Sequence, residues 1–413
     1  MAHSKMLPCP MPKWLKFLPD MSQHTMSSPA PIGVPAPPRD SNSRDPRLDF
    51  FRGLALVMIF INHVPGNPLE VLTNRNFGFS DAAEGFVFMS GMAAGLAYPL
   101  AFVRLPLWRA VAKCWGRAWT LYSVHLVISA ISLAIMLGAA YWFGAEKMWK
   151  VNNVGPWMKA PVQATIGIAT LGHQFGYLNI LPMYAALLVM TPVMILVAQR
   201  NIWIMLGGSF ALWVFTGETR LNIPAYPNPG GWFFNPFAWQ FLFAIGLACG
   251  MRLKAGQRLV PTVVWAKWLS LAILVLILGW MKIDAIREIG SAGLGVLRSL
   301  GAPFYITNFD KTFLAAPRLL HVLALVYFLS TQSWVTRFSA SRWVWPVQLM
   351  GRFGLACFAF GTVLSILGQS IKAALIYDPW VFDMAYVFVG LALQMGFARI
   401  KWQLAKPPAA RAP

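Results

Sequence analysis

At 413 residues, with 57% hydrophobic and only 12% charged residues, the chain is too apolar to be an ordinary soluble globule. A mean hydropathy of +0.56 points instead to a polytopic membrane protein whose surroundings are a lipid bilayer. The net charge of +20 would suit a nucleic acid, but the way the charge is distributed along the chain excludes that reading.

Residues 1–44 are rich in Pro and Ser and lack an apolar run, so they read as a disordered cytoplasmic tail, neither signal peptide nor span. Ten apolar runs follow, near 48–64, 83–103, 118–143, 177–198, 202–216, 232–250, 264–281, 313–330, 347–368 and 380–398. The expected fold is all-α, a polytopic membrane helix bundle over 45–398 with about ten transmembrane helices, closed by a basic tail over 399–413. Taking the connections alternately, one set holds fifteen Lys or Arg and no acid, while the other holds ten Lys or Arg with eight acids. By the positive-inside rule the first set is cytoplasmic, which places both termini inside. The basic excess is thus a topology signal, and no nucleic-acid partner is expected. Four scattered cysteines give neither a disulfide framework nor metal-ligand spacing, so no metal is expected.

The first run, LDFFRGLALVMIFINHV, carries Asp49, Arg52 and His63. An ionisable group inside a membrane helix is costly unless it faces protein or water, which makes these three candidate site residues. Arg52 and His63 are eleven positions apart, within about 20° of the same helical face and roughly 16 Å apart along the axis. Asp49 joins that stripe one turn earlier. The alternative is an interfacial Asp–Arg anchor and a histidine bonded to a neighbouring helix.

At the start of the second run, Asp81 and Glu84 share a face and suit either helix capping or a site. Gly85, Ser90, Gly91 and Gly95 form a small-residue face for close helix packing. Arg117, Tyr122 and His125 at the mouth of the third run suit an anionic ligand, with a topology anchor as the alternative for the arginine. The segment 144–176 reads as amphipathic and surface-lying, with His173 exposed. In GWFFNPFAWQF, Trp232, Asn235 and Gln240 suit either an interfacial aromatic belt or a sugar platform. Asp310, Lys311, Arg318 and His321 open the eighth run, with Arg318 and His321 directed together into the bundle. Asp383 is a buried acid in the tenth run that invites a neighbouring partner.

The segments RDPRLDFFRGLALVMIFINH, FGFSDAAEGFVFMSG, GRAWTLYSVH, LNILPMYAALL, GWFFNPFAWQFLF and FDKTFLAAPRLLHVLAL, in this order, resemble the OpgC family. The resemblance spans roughly residues 44–398. It implies a bacterial inner-membrane protein of the wider transmembrane acyltransferase group, associated with succinyl substitution of osmoregulated periplasmic glucans. That group's signature is an arginine, ten residues and a histidine in the first span, here Arg52 and His63. One departure is GRFGLACF, where Phe353 and Gly354 replace an expected His-Ser pair.

What the resemblance implies is an O-acyltransferase with no tightly bound cofactor, acyl-CoA (succinyl-CoA) as donor and a periplasmic glucan as acceptor. His63 would be the general base and Asp49 would fix Arg52, with Glu84 or Asp81 orienting the imidazole or binding the sugar. Arg52, Arg117 and Arg352 would form a basic inner mouth for the CoA phosphates, and Arg318 would hold the succinyl carboxylate. A transporter of an anionic saccharide or acyl donor, and a membrane scaffold, are the competing readings.

Overall fold

The structure, a computed structural model, describes residues 45–375 and 380–405; the expected tail over 1–44 lies outside the described residues. The described residues are almost entirely helical and contain no strand beyond one isolated bridge, between Pro224 and Gly231.

Helix α1 (Pro46–Asn62) begins where Asp45 accepts a hydrogen bond from the Arg47 amide at 3.0 Å and Pro46 takes the first helical position, both favourable at a helix start. Helix α2 (Ala82–Ala97) opens with a capping box. Asp81 accepts from the Ala83 amide at 2.8 Å, and Glu84 accepts from the Asp81 amide at 2.9 Å. The short α3 (Pro99–Arg104) leads into α4 (Leu107–Phe143), 37 residues long and ended by the left-handed Gly144. Much of the predicted basic loop before residue 118 is therefore helix. Three short helices, α5 (Lys147–Val151), α6 (Gly155–Lys159) and α7 (Pro161–Ala169), occupy the predicted surface segment.

Then come α8 (Ile180–Arg200), α9 (Ile202–Thr219), α10 (Pro236–Lys254), α11 (Val264–Lys282), α12 (Asp284–Ser299) and α13 (Phe304–Thr307). Helix α14 (Ala316–Ser330) meets α15 (Ser333–Ser339) at 82°. The predicted ninth run is broken at Phe353 into α16 (Trp345–Arg352) and α17 (Gly354–Ala374), and α18 (Trp380–Leu404) runs six residues past the predicted boundary.

Seven of these helical segments are long and apolar enough to cross a membrane, and the bent α14–α15 pair adds an eighth if it counts as one span. All ten predicted runs fall on helices, but α1 and α9 are not among those seven.

The tightest crossing in the bundle joins α2 to α10. A Cβ on Gly91 or Gly95 would collide with the α10 backbone at Phe243 and Leu247, and one on Gly246 or Gly250 with the Phe88 and Met92 carbonyls. Four glycines thus bring two main chains into contact, the small-residue packing expected where lipid gives no hydrophobic drive. Replacing Gly91 with Leu is expected to lower stability by about 1–3 kcal/mol or more through overpacking, read as a lower unfolding midpoint in detergent. Gly85, grouped with that face in the sequence, differs: a Cβ there would meet nothing within 4 Å. A second close approach sets α1 on α16, where Gly53 faces the Val347 carbonyl and Gly351 the Asp49 carbonyl.

Candidate active site

The N-terminus of α2 is the electrostatic centre of the molecule. Glu84, fully buried, receives the Arg318 guanidinium at 2.7 Å from Nε and 2.5 Å from a terminal nitrogen. A terminal nitrogen of Arg318 also lies 3.4 Å from Asp81 Oδ2, and the Lys311 ammonium bonds the same oxygen. Two acids from one helix start and two cations from the α14 approach, more than 220 positions later, thus form a four-membered ion network. Burial alone would raise the Asp81 carboxyl, but Lys311 and Arg318 outweigh it and hold it below the usual carboxylate range. Beside the network His321 Nδ1 lies 2.7 Å from Ser80 Oγ and accepts from the Ser80 amide at 3.2 Å. The ring fits there because position 78 is a glycine, whose missing Cβ would overlap the imidazole.

His63 caps the far end of α1 and stacks on Tyr177, with ring centroids 3.9 Å apart and planes inclined by 20°. Its ring is within electrostatic reach of Lys311, Asp81 and Arg75, so it stands on the network's side of the protein. Its carbonyl accepts from Gln369 Nε2 at 2.6 Å, and Gln369 Oε1 accepts from Asn152 at 3.0 Å. The 3₁₀ turn Gly176–Asn179 gathers these parts. Gly176 donates to the Asn152 carbonyl at 3.1 Å, Tyr177 stacks on His63, and the His125 ring lies against the Leu178 backbone. Beside it His63 Nδ1 and Asn152 Oδ1 are buried without hydrogen-bond partners among the described residues, as are the hydroxyls of Ser129 and Ser132 on α4 and of Ser370 on α17. Such groups are those that a bound hydroxyl or a buried water satisfies.

A cavity of about 660 Å³ lies between α1, α2, α10 and α14. Asp45, Arg47 and Arg258 line one end, Asn74, Ser80 and Asp81 the other, and apolar side chains the length between them. Asp81 therefore belongs to both the ion network and the cavity wall. Arg52 and His63, placed by their spacing near one helical face, do not line this cavity. The Arg52 guanidinium bonds the Met89 carbonyl of α2 at 3.2 Å, and Asp49 is buried where α1 meets α16.

Several expected substrate contacts are occupied by structure. Arg318, expected to hold a succinyl carboxylate, already carries Glu84 and Asp81. Asn235 caps α10 by accepting from the Phe237 amide at 3.0 Å, and its amide group donates to the Leu221 carbonyl at 2.6 Å. Gln240 ties α10 to Ser209 of α9. Trp232 is 5% exposed, so no flat sugar platform is presented by these three; the exposed ring in that segment is Phe233. Asp310 caps the turn before α14 by accepting from the Phe313 amide at 2.8 Å. Ser90 is buried in α2, whereas Arg117 and Arg352 lie exposed away from the cavity. His173 is buried rather than exposed, and Asp383 pairs with Lys372 at 2.6 Å. Tyr177, Asn152 and Gln369 were not singled out in the sequence; the one signal was that Tyr177 directly precedes LNILPMYAALL.

The sequence profile of the family described as OpgC protein matches residues 44–405, nearly the whole chain. The chain belongs to the OpgC family. Among curated proteins none matches it. Membership implies a glucan-modifying transferase, and the apolar helices of this OpgC chain agree with a membrane setting.

Proposed function

We propose that this OpgC protein is a bacterial inner-membrane O-acyltransferase that moves an acyl group, succinyl in the first instance, from cytoplasmic acyl-CoA to a hydroxyl of a periplasmic glucan. The observation that carries this reading is the meeting of His63, the Asp81–Glu84–Lys311–Arg318 network and the end of a long cavity in one region. The charge asymmetry of the loops supports ten spans with both termini inside, which puts the α2 N-terminus and His63 outward and the Arg47 end of the cavity inward.

In this mechanism a neutral His63 imidazole takes the proton of the glucan hydroxyl through Nε2. The alkoxide oxygen attacks the thioester carbonyl, an ester bond forms, and the carbon–sulfur bond breaks. The departing thiolate recovers the proton from His63, so no net proton is gained or lost. Stacking on Tyr177 fixes the ring plane, and the Lys311 ammonium, which acts on the ring electrostatically, would offset negative charge developing on the carbonyl oxygen. The partnerless polar groups around Gly176–Asn179 would receive acceptor hydroxyls or the waters that order them. Arg52, bonded to a carbonyl of α2, ties α1 to the helix that carries the acids.

The test is chemical. Purified protein in detergent should release free thiol from succinyl-CoA only when a periplasmic glucan is present, with the glucan gaining one succinyl mass. A transporter would move label and leave both molecules unchanged.

A further inference from the structure

We propose that the cavity between α1, α2, α10 and α14 is the donor channel, with Arg47 and Arg258 gripping the phosphates of a coenzyme A thioester whose slim arm lies along the apolar walls. This proposal rests on the acyltransferase reading and names the site that reading leaves open.

The first observation is that arginines of the lining gather at one end. Arg47 and Arg258 line the mouth, and Arg252 holds Gln257 at its rim at 2.7 Å; the one lining acid there, Asp45, pairs with Arg47 through Nε at 3.1 Å and a terminal nitrogen at 2.7 Å, which holds that guanidinium at the opening. Arg258 is braced by Ser330 Oγ at 2.8 Å, so α14 fixes its guanidinium from across the opening. A guanidinium held in place suits the multiple oxygens of a pyrophosphate.

The second observation is length and lining. On α1 the cavity follows Leu48, Phe51, Ala55 and Met58, a single face. Ten residues at 1.5 Å each make about 15 Å, the reach of a phosphopantetheine arm and far beyond that of a free dicarboxylate. The walls between the ends are apolar, as suits a largely saturated chain.

The third observation is where the channel ends. Its far wall includes Ser80 and Asp81, and Asp81 is bonded to Lys311 and Arg318; His63 lies within the field of Asp81 and Lys311. A thioester at the tip of such an arm would arrive at the ion network whose Lys311 and Asp81 act on the group proposed to activate the acceptor.

Cys249 in the wall is a built-in reporter, while Cys114 and Cys357 are fully buried. With Cys9 changed to Ser, the full chain is alkylated with N-ethylmaleimide and modification of Cys249 is followed by mass spectrometry. Desulfo-coenzyme A should slow this reaction at least fivefold, and the same molecule cut back to its phosphate-free pantetheine part should need at least tenfold higher concentration. The double variant Arg47→Gln/Arg258→Gln should lose the distinction between the two. Unchanged labelling, or equal protection by added phosphatidylglycerol, overturns the proposal and in the second case assigns the cavity to lipid.

Gly85→Leu is the second arm. Gly85 lines the cavity with open space before it, so a leucine there fills the channel without striking backbone. Transfer should fall at least tenfold with the unfolding midpoint kept; wild-type transfer by this variant overturns the channel. Should the wild-type protein release no thiol from acyl-CoA, the enzymatic reading fails, while protection of Cys249 still decides what the cavity binds.

Discussion

Replacing His63 with alanine is expected to cut acyl transfer by about 10²- to 10⁴-fold, the usual contribution of a positioned general base. The ring closes no hydrogen-bond network through Nδ1, and its main packing partner is Tyr177. Loss of that stack removes about 0.5–1.5 kcal/mol beyond area burial, small beside the whole fold. The variant should therefore remain monodisperse in detergent with a nearly unchanged unfolding midpoint while thiol release falls towards background. Tyr177→Phe keeps an aromatic face under the imidazole and should retain most of the rate. Transfer by His63→Ala within a few-fold of wild type would remove the imidazole from the chemistry.

The second large effect is structural. Arg318→Ala leaves Glu84 buried with only the Asp81 amide bonded to it and strips one cation from Asp81. Breaking a buried ion pair by removing one partner is expected to cost about 3–5 kcal/mol. Arg318→Lys should recover part of this, since one ammonium cannot reproduce bonds from two guanidinium nitrogens. Adding Glu84→Gln to Arg318→Ala should destabilise less than the sum of the single changes, because the stranded charge is gone. Asp81, held below its ordinary range, contributes stability that is present above its unfolded value and lost as pH falls through the lowered folded value. The contribution of Asp81 should thus weaken only in strong acid. A midpoint within a degree of wild type for Arg318→Ala would show that the ion network contributes little to folding.

Much of the fold can be read from hydrophobic runs, since a bilayer makes long apolar segments obligatory helices. The helix starts were also legible: Asp81 and Glu84 have the spacing of a capping box and form one. What the chain could not reveal is that the same two carboxylates receive Lys311 and Arg318 from far along the sequence. Helical periodicity gives the face of a residue and nothing of which helix stands opposite. Asn235 and Gln240 illustrate the same limit. An amide beside aromatics has the composition of a sugar site, yet here the first caps a helix and the second bridges two. Arg47 and Arg258 look like ordinary membrane-edge arginines, and only the cavity they line suggests the role proposed for them.

The four-glycine seam between α2 and α10 has a mechanical consequence. Where main chains touch without intervening side chains, no rotamer can yield, and one rod can shift along the other only by a whole turn, as packed elements do in discrete ratchets. The seam therefore acts as a fixed post that keeps the acidic tip of α2 at constant height against Trp239, whose indole donates to the Lys311 carbonyl at 2.9 Å. Any opening that admits a bulky sugar has to come from the lightly packed perimeter, such as α11 and α12, swinging about a centre that does not move.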